Sequence, residues 1–284
     1  MTEHGPTTRQ RRLAAELRKL REANGLTMDR AATALGWPQS KLSELETARQ
    51  IPKTGDVEAI LATYGGVDQA VKLALLQLVR DVRQRGWWAS FGDVLSGSYA
   101  ELEYAADRIR IWQVQLVPGL LQTEDYARTL IRRHFPDESD AEIDRRVQVR
   151  VTRRAMLTRQ KPPRLEVLLA EEVIRRPVGG REIMRGQLGA LLHAGQRPNV
   201  SIRVVPISAG DYPSMGTGGV VLFEFDESSV VDLSVAYLET MAGSRYEEDI
   251  SQVRACSLMY DRIAEFALTE SDSADLIRTT MKEM

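Results

Sequence analysis

Apolar residues recur at helical spacing through the first third of the chain. Leu13, Leu17 and Leu20 form one such stripe on a helix predicted from Arg9 to Ala23. Stripes of the same kind predict further helices at residues 27–36, 39–47, 55–64 and 67–85. The pattern therefore predicts five successive helices with no strand among them.

From residue 162 onward the periodicity changes to one in which strands alternate with helices. Strand-like runs lie at residues 165–170, 200–206, 219–225 and 230–238. Helical runs lie at residues 171–176, 181–194, 248–266 and 270–284. A strand, a crossover helix and a second strand predict a parallel unit, and the last two strands predict a hairpin whose turn spans residues 226–229. The fold class predicted is α+β, an all-α first domain followed by a larger domain.

These elements predict four segments along the chain. Residues 1–8 are polar and are expected to form a disordered tail. Residues 9–66 form the first domain, residues 67–86 form a connecting amphipathic helix, and residues 87–284 form the second domain. Within the second domain we predict a helical part over 87–160, which includes one strand-like run, and a mixed sheet over 162–284.

The stretch from Leu26 to Pro52 predicts two short helices joined by a tight turn. Thr27 is a favourable N-cap for the first helix, and Gly36 ends it by adopting a left-handed conformation. Pro38 suits the start of the second helix. Such a pair is typical of a helix-turn-helix, whose second helix enters the DNA major groove. An ordinary helical hairpin with a polar outer face is the alternative.

If the second helix does enter DNA, its polar side chains reach the edges of the bases. Glutamine pairs with adenine and lysine with guanine through the major groove. The candidate base-reading residues are Gln39, Ser40, Lys41 and Glu44. The candidate phosphate contacts are Thr27, Arg49, Lys53 and Arg18.

Charge is distributed unevenly along the chain, and this favours DNA as a partner. The formal net charge is −2. Residues 1–85 carry 14 Lys and Arg against 10 Asp and Glu, a balance of +4, so the remainder carries −6. A modestly basic first domain on an acidic body suits a DNA reader that does not depend on bulk charge.

The stretch that begins at Thr27 resembles the helix-turn-helix of the XRE family, the phage-repressor and Cro type. The matching residues are Thr27, Ala31–Ala32, Leu35–Gly36, Gln39–Ser40, Leu42–Ser43, Leu45–Glu46 and Pro52. Two positions depart from the family pattern. Thr47–Ala48 stands where members often have a glycine, which implies a stiffer turn, and Met28 stands where many have glutamine.

The second domain resembles the C-terminal domain of an antitoxin-like family of actinobacterial transcriptional regulators. The resemblance rests on the sequences VPGLLQTEDYAR, RRPVGG, RPNVSIRVVPISAG and YLET and covers roughly residues 88–277. It implies regulation of transcription and a small protein partner encoded nearby.

Aromatic, methionine and glycine residues mark the surface where a partner is expected. Tyr212 and Met215 lie on a loop before Gly216, Gly218 and Gly219, and such residues supply adaptable contact area. The candidate partner-binding residues are Tyr212, Met215, Trp87 and Trp88. Core aromatics beside an ordinary loop are the alternative interpretation. We also predict a homodimer formed through the second domain, because one helix-turn-helix reads only a few base pairs of a near-palindromic operator.

The sequence offers little that predicts catalysis. The glycine pairs lack the Gly-Lys-Ser/Thr ending of a phosphate loop, and the three histidines have no metal-ligand spacing. Glu171 and Glu239 follow or end strands and provide the one candidate hydrolytic pair. We therefore expect no enzyme, metal or cofactor. A sensor of a small molecule, and an enzyme with a DNA-targeting domain, remain alternatives. No apolar run is long enough to span a membrane, and we expect a cytoplasmic protein.

Overall fold

The computed structural model describes residues 6–83, 99–225, 234–240 and 243–284. The chain divides into two compact units, one of residues 1–102 with 225–233 and the other of residues 103–224 with 234–284. The boundary predicted between residues 86 and 87 lies outside the described residues, as does the hairpin turn predicted at 226–229.

The first unit contains five consecutive helices. They are α1 (Thr8–Ala23), α2 (Met28–Leu35), α3 (Gln39–Glu46), α4 (Thr54–Tyr64) and α5 (Gln69–Arg83). The structure confirms the five helices predicted from the stripe pattern. α1 begins at Thr8 because the Thr7 side chain caps it, so the predicted disordered tail of residues 1–8 is too long at its end.

One apolar core joins these five helices. Leu13, Leu17, Leu42 and Ile60 are fully buried in it. α5 contributes Leu75 to the same core, so the amphipathic helix packs on the first unit. Leu73 is 58% exposed because α1 and α4 cover only one side of α5.

The second unit is built around a six-stranded mixed sheet. Its strands are β1 (Arg108–Gln113), β2 (Arg164–Ala170), β3 (Val200–Val205), β4 (Val220–Glu224), β5 (Val235–Thr240) and β6 (Gly243–Glu247). The order across the sheet is β3-β2-β1-β4-β5-β6. β1, β2 and β3 run parallel, whereas β4, β5 and β6 pair antiparallel. The predicted α+β class and the predicted β2–β3 and β4–β5 pairings are confirmed.

Helices connect and cover the strands of this sheet. They are α7 (Glu124–His134), α8 (Asp140–Arg153), α9 (Glu171–Arg175), α10 (Arg181–Ala194), α11 (Ile250–Ala264) and α12 (Glu270–Glu283), whereas α6 (Tyr99–Ala105) crosses the division of the chain between residues 102 and 103. α7 and α8 form the connection between the parallel strands β1 and β2. The prediction that sheet residues begin at 162 is therefore wrong, because β1 lies at the centre of the sheet.

Side chains at the end of β1 position the loop that was predicted to bind a partner. Trp112 is 1% exposed and packs in a cluster with residues of α11. Since β3 lies at one edge and β4 follows β1, the connection over residues 206–219 passes the carboxyl ends of β2 and β1. This connection carries Tyr212 and Met215.

Candidate nucleic-acid interface

The α3 helix presents a polar face to solvent while its apolar face anchors it. Leu42 and Leu45 are 0% and 1% exposed within the core of the first unit. Gln39, Ser40 and Glu44, three of the four predicted base-reading residues, are exposed. Because Ser40 and Glu44 are four residues apart, they share one helix face. This division between anchor and exposed face is what a recognition helix requires.

The turn before α3 follows the sequence prediction closely. Thr27 caps α2 by accepting a hydrogen bond from the Arg30 N–H, at 3.3 Å. Gly36 ends α2 in the left-handed conformation, with φ of 65°. Pro38 then occupies the N-cap of α3 and contributes no side-chain bond. The Lys41 N–H of this first turn donates to the Pro38 carbonyl at 3.1 Å, so the Pro38 backbone, not its side chain, caps α3.

The turn after α3 holds a residue that is not glycine in a left-handed conformation. Ala48 has φ of 57°. The Arg49 N–H donates to the Glu44 carbonyl at 2.9 Å, and the Ala48 N–H donates to the Leu45 carbonyl at 3.3 Å. These two bonds form a Schellman motif, which normally places glycine at the Ala48 position. Ala48 therefore carries backbone strain at a position that glycine would occupy without it.

Lys41 is held by other residues of the first unit. Its ammonium lies 2.7 Å from Asp56 Oδ1 on α4 and 3.8 Å from the centre of the Trp37 ring. Asp56 also accepts the backbone N–H of Lys53 at 2.8 Å. Burial alone would raise the pKa of Asp56, but these two donors hold it below its usual value. The charge of Lys41 is therefore already balanced by Asp56 before any contact with a base.

The predicted phosphate contacts are all exposed and differ in what they already bind. Arg49 follows the Schellman turn, and Lys53 is the N-cap of α4. Arg18 pairs with Glu22 at 2.8 Å, with 62% of the arginine side chain exposed. Arg49 and Lys53 therefore flank the C-terminal end of α3, where contacts to phosphate would set its register.

A buried ion pair, which was not predicted from the sequence, holds the inward face of α3. Arg21 Nε on α1 lies 2.8 Å from Glu46 Oε1, and the side chains are 9% and 2% exposed. Arg21 also donates to the Leu26 carbonyl at 2.7 Å. The hydrogen bond with Glu46 raises the pKa of Arg21. The signal for Glu46 was its position beside Leu42 and Leu45 on the inward face of α3.

The arginine-rich segment before residue 160 does not offer free charge to DNA at its main positions. Arg146 pairs with Glu138 at 2.8 Å, and Arg153 pairs with the buried Glu103 at 2.6 Å. An arginine whose charge is balanced by a carboxylate has less attraction for phosphate. These contacts favour a packed, salt-bridged helix over a second DNA surface on this segment.

The predicted partner loop is partly exposed and partly packed. Met215 is 56% exposed, and Ile207 in the same connection is 57% exposed. Tyr212 is half-buried, and its ring meets that of Trp112 edge to face at 5.6 Å. Burial raises the pKa of the Tyr212 phenol. Trp87 and Trp88, the other two predicted partner residues, lie outside the described residues.

One of the loop glycines has a packing role. A Cβ on Gly219 would lie 2.5 Å from the Trp112 carbonyl oxygen. A Cβ on Gly216 meets nothing within 4 Å. Gly219 therefore allows the start of β4 to approach β1, whereas a side chain at Gly216 would meet no neighbour.

The two candidate catalytic carboxylates do not come together. Glu171 follows β2, Glu239 lies in β5, and β1 and β4 separate the two strands by about 14 Å. Glu171 is buried and bonds Arg175 at 2.6 Å and the Ile207 N–H at 2.7 Å. Glu171 is thereby engaged in holding α9 and the start of the loop. Within the described ranges, no three His, Cys, Asp or Glu side chains gather as metal ligands would.

A helical unit that buries one side of α3 and exposes the other defines a helix-turn-helix DNA-binding regulator. The profile of a helix-turn-helix domain family matches residues 12–75, which span α2, α3 and α4. The chain belongs to the family defined by DUF5753, a domain of unknown function whose profile matches residues 96–279. Neither a curated protein nor a solved structure matches the chain.

These matches do not test the finer predictions made from the sequence. The XRE subtype, the actinobacterial origin and the antitoxin-like role stay predictions that rest on the resemblance. None of the helices among the described residues combines the length and the apolar character needed to cross a bilayer.

Proposed function

We propose that this protein is a sequence-specific transcriptional regulator of the XRE type that binds operator DNA through α3. The observation that carries the proposal is the anchoring of α3 by Leu42 and Leu45 while Gln39, Ser40 and Glu44 face solvent. That arrangement leaves the first turn of the helix, where base contacts concentrate, open to a major groove.

Each exposed polar residue has a chemically distinct part in this proposal. Gln39 suits a two-bond contact with adenine, and Glu44 accepts from the amino group of cytosine. Ser40 bonds either kind of base edge. The proposed phosphate contacts, which set register without reading sequence, are Thr27, Arg49, Lys53 and Arg18.

The regulator is proposed to act as a homodimer in the cytoplasm. α3 has eight residues, so one copy contacts only a few base pairs. Two copies related by a two-fold axis would place their α3 helices about 34 Å apart on a near-palindromic site. We assign the dimer contact to the second unit.

The test of DNA reading begins with selection of a preferred site from random duplexes by the full chain. Gln39→Ala is then expected to weaken binding to that site by roughly 1–3 kcal/mol and to relax the base preference at one position. Gln50→Ala is the matched control, since Gln50 is exposed just beyond α3. Arg49→Ala should instead weaken binding to all sequences and reduce the salt dependence.

Two outcomes would contradict the proposed reading of DNA. Equal losses on the selected site and on random DNA for Gln39→Ala would remove its base-reading role. Failure of the full chain to enrich any sequence would remove the proposed function as a whole.

The second unit is proposed to bind a small protein that alters DNA binding, in the manner of an antitoxin-like regulator. Exposed Met215 and Ile207 beside half-buried Tyr212 support a contact surface on the loop over 206–219. Trp87 and Trp88 are included in this proposal on the basis of the sequence alone. A tenfold change in operator affinity would need a coupling of only about 1.4 kcal/mol.

A native extract passed over the immobilised full chain tests the partner. A small protein should be retained, and adding it in purified form should shift operator affinity. The double variant Tyr212→Ala with Met215→Ala should weaken retention, whereas Leu258→Ala, at a position 60% exposed on α11, should not. If no protein is retained and a metabolite raises the melting temperature instead, the alternative of a small-molecule sensor is correct. Turnover of a substrate would favour the enzyme alternative.

A further inference from the structure

The single basic residue of α3 has its charge compensated inside the first unit. The α3 sequence is QSKLSELE, so Lys41 is its one cation. Its ammonium contacts the Asp56 carboxylate at 2.7 Å and lies over the Trp37 ring at 3.8 Å. Side-chain exposure is 34% for Lys41 and 17% for Asp56, so the pair is shielded from solvent on several sides.

Asp56 is itself fixed in position. Its second oxygen accepts the Lys53 N–H at 2.8 Å in the first turn of α4. The carboxylate therefore belongs to the capping arrangement of α4 and cannot rotate away without leaving that amide unpaired. The contact with Lys41 thus joins two rigid helices of the same core.

This arrangement has opposite effects on two kinds of DNA binding. Non-specific affinity comes from phosphate neutralisation, with each contact releasing counterions. A lysine paired with a carboxylate contributes less to this non-specific affinity. At a correct site, guanine O6 and N7 supply acceptors that replace the carboxylate, and the base contact is worth roughly 1–3 kcal/mol.

We infer that Asp56 is a specificity-determining residue, which withholds Lys41 from phosphates and releases it only to a matching acceptor. This inference rests on the proposed DNA-binding function and adds a residue that touches no base. Its consequence is that removing the Asp56 charge strengthens binding to random DNA more than binding to the preferred site.

The experiment compares Asp56→Asn with Glu58→Gln in the full chain. Asparagine can still accept the Lys53 N–H, so the α4 cap is retained. Glu58 is exposed on the same helix, so Glu58→Gln changes the net charge equally without touching Lys41. Binding to random duplex and to the selected site is measured by fluorescence anisotropy at salt concentrations from about 50 to about 200 mM.

Asp56→Asn should add one phosphate contact on random DNA. The slope of log affinity against log salt should steepen by about 0.9, which is roughly a threefold further loss of affinity over that salt range. The ratio of specific to random affinity should fall by a similar factor. In a Lys41→Gln background the same Asp56→Asn change should have no such effect.

Three results overturn the inference. They are an equal effect of Glu58→Gln, persistence of the Asp56→Asn effect in the Lys41→Gln background, and an unchanged specificity ratio. Circular dichroism at the assay temperature shows whether each variant is folded. Unfolding of a variant is then not mistaken for any of these three results. Wild-type protein that binds no duplex at all would instead defeat the proposed function, and the inference would fall with it.

Discussion

Arg21 and Glu46 form a two-bond ion pair beneath the recognition helix. Arg21 Nε and one terminal nitrogen lie 2.8 and 2.9 Å from the two Glu46 oxygens. Because Arg21 also binds the Leu26 carbonyl, one side chain joins α1, the α1–α2 turn and α3. The orientation of α3 therefore depends on a polar contact as well as on Leu42 and Leu45.

Breaking this pair should strongly destabilise the first unit. Arg21→Met leaves the Glu46 carboxylate buried without its partner, which typically costs about 3–5 kcal/mol. Urea unfolding of the full chain, with hydrogen exchange used to locate the change in α1 and α3, measures the effect.

The matched control is Arg18→Met on the same helix. Arg18 and Glu22 form an exposed pair, with side chains 62% and 51% exposed, and because solvent screens such a pair its loss should have a much smaller effect. The double variant Arg21→Met with Glu46→Leu should recover much of the loss, since no charge is left buried. Equal costs for Arg21→Met and Arg18→Met would contradict the buried role.

Two glycines have equally open surroundings, but replacing each with alanine should change the free energy of unfolding in opposite directions. A Cβ added to either Gly36 or Gly55 would meet no atom within 4 Å, but only Gly36 has a left-handed φ, at +65°. Gly36→Ala should lower the free energy of unfolding by about 1 kcal/mol because alanine is strained there. Gly55→Ala should raise it by about 0.4–1 kcal/mol by restricting the unfolded chain. Thermal unfolding measures both changes. If both variants were stabilised or both destabilised, the left-handed φ of Gly36 would not be the cause of the difference.

The close approach of β4 to β1 should not tolerate a side chain at residue 219. Gly219→Ala puts a methyl group against the Trp112 carbonyl and should cost about 1–3 kcal/mol, as overpacking does. Gly216→Ala should change stability by less than about 0.5 kcal/mol. Faster amide exchange in β1 and β4 for the first variant alone is the expected pattern. Unchanged exchange in both strands would show that the backbones separate without cost.

The Lys41–Asp56 contact should make stability depend on acid pH. The pKa of Asp56 is lower in the folded state than in the unfolded chain, where it is near 3.9. Its contribution is therefore complete above roughly pH 5 and is lost as pH falls through the folded value. Asp56→Asn should cost about 1 kcal/mol at pH 7, and the difference between wild type and variant should be smaller at pH 3 than at pH 7. A difference that stays constant between pH 7 and pH 3 would argue against the ion pair.

The first unit could be predicted almost completely from sequence because its signals are local. Thr27 caps α2, Gly36 takes the left-handed conformation, and Leu42 with Leu45 turn inward as their spacing indicates. Caps and helical stripes depend on residues within four positions of one another. The partners of Lys41 and Glu46 could not be found this way, since Asp56 and Arg21 come from other helices.

The second unit was harder to predict because strand pairing joins distant segments. β1 pairs in parallel with β2 across the whole α7–α8 connection, and a parallel pair needs such a crossover. β6 was missed because Gly243–Glu247 has no apolar alternation and is largely exposed. Leu258, one of the apolar residues of α11, is 60% exposed because α11 covers the sheet with one side only.

The protection of the outer edge of β3 has a consequence for biosynthesis. The Val204 N–H donates to Ser273 Oγ at 2.9 Å, and the Val204 carbonyl accepts the Leu268 N–H at 2.9 Å. β3 is thus an open edge until the segment leading into α12 has left the ribosome. A chain released early, before residue 268, would carry an unpaired strand edge of the kind that recruits other chains into aggregates. Nonsense mutations far from the DNA-binding helices would then act through aggregation and proteolysis of the truncated chain.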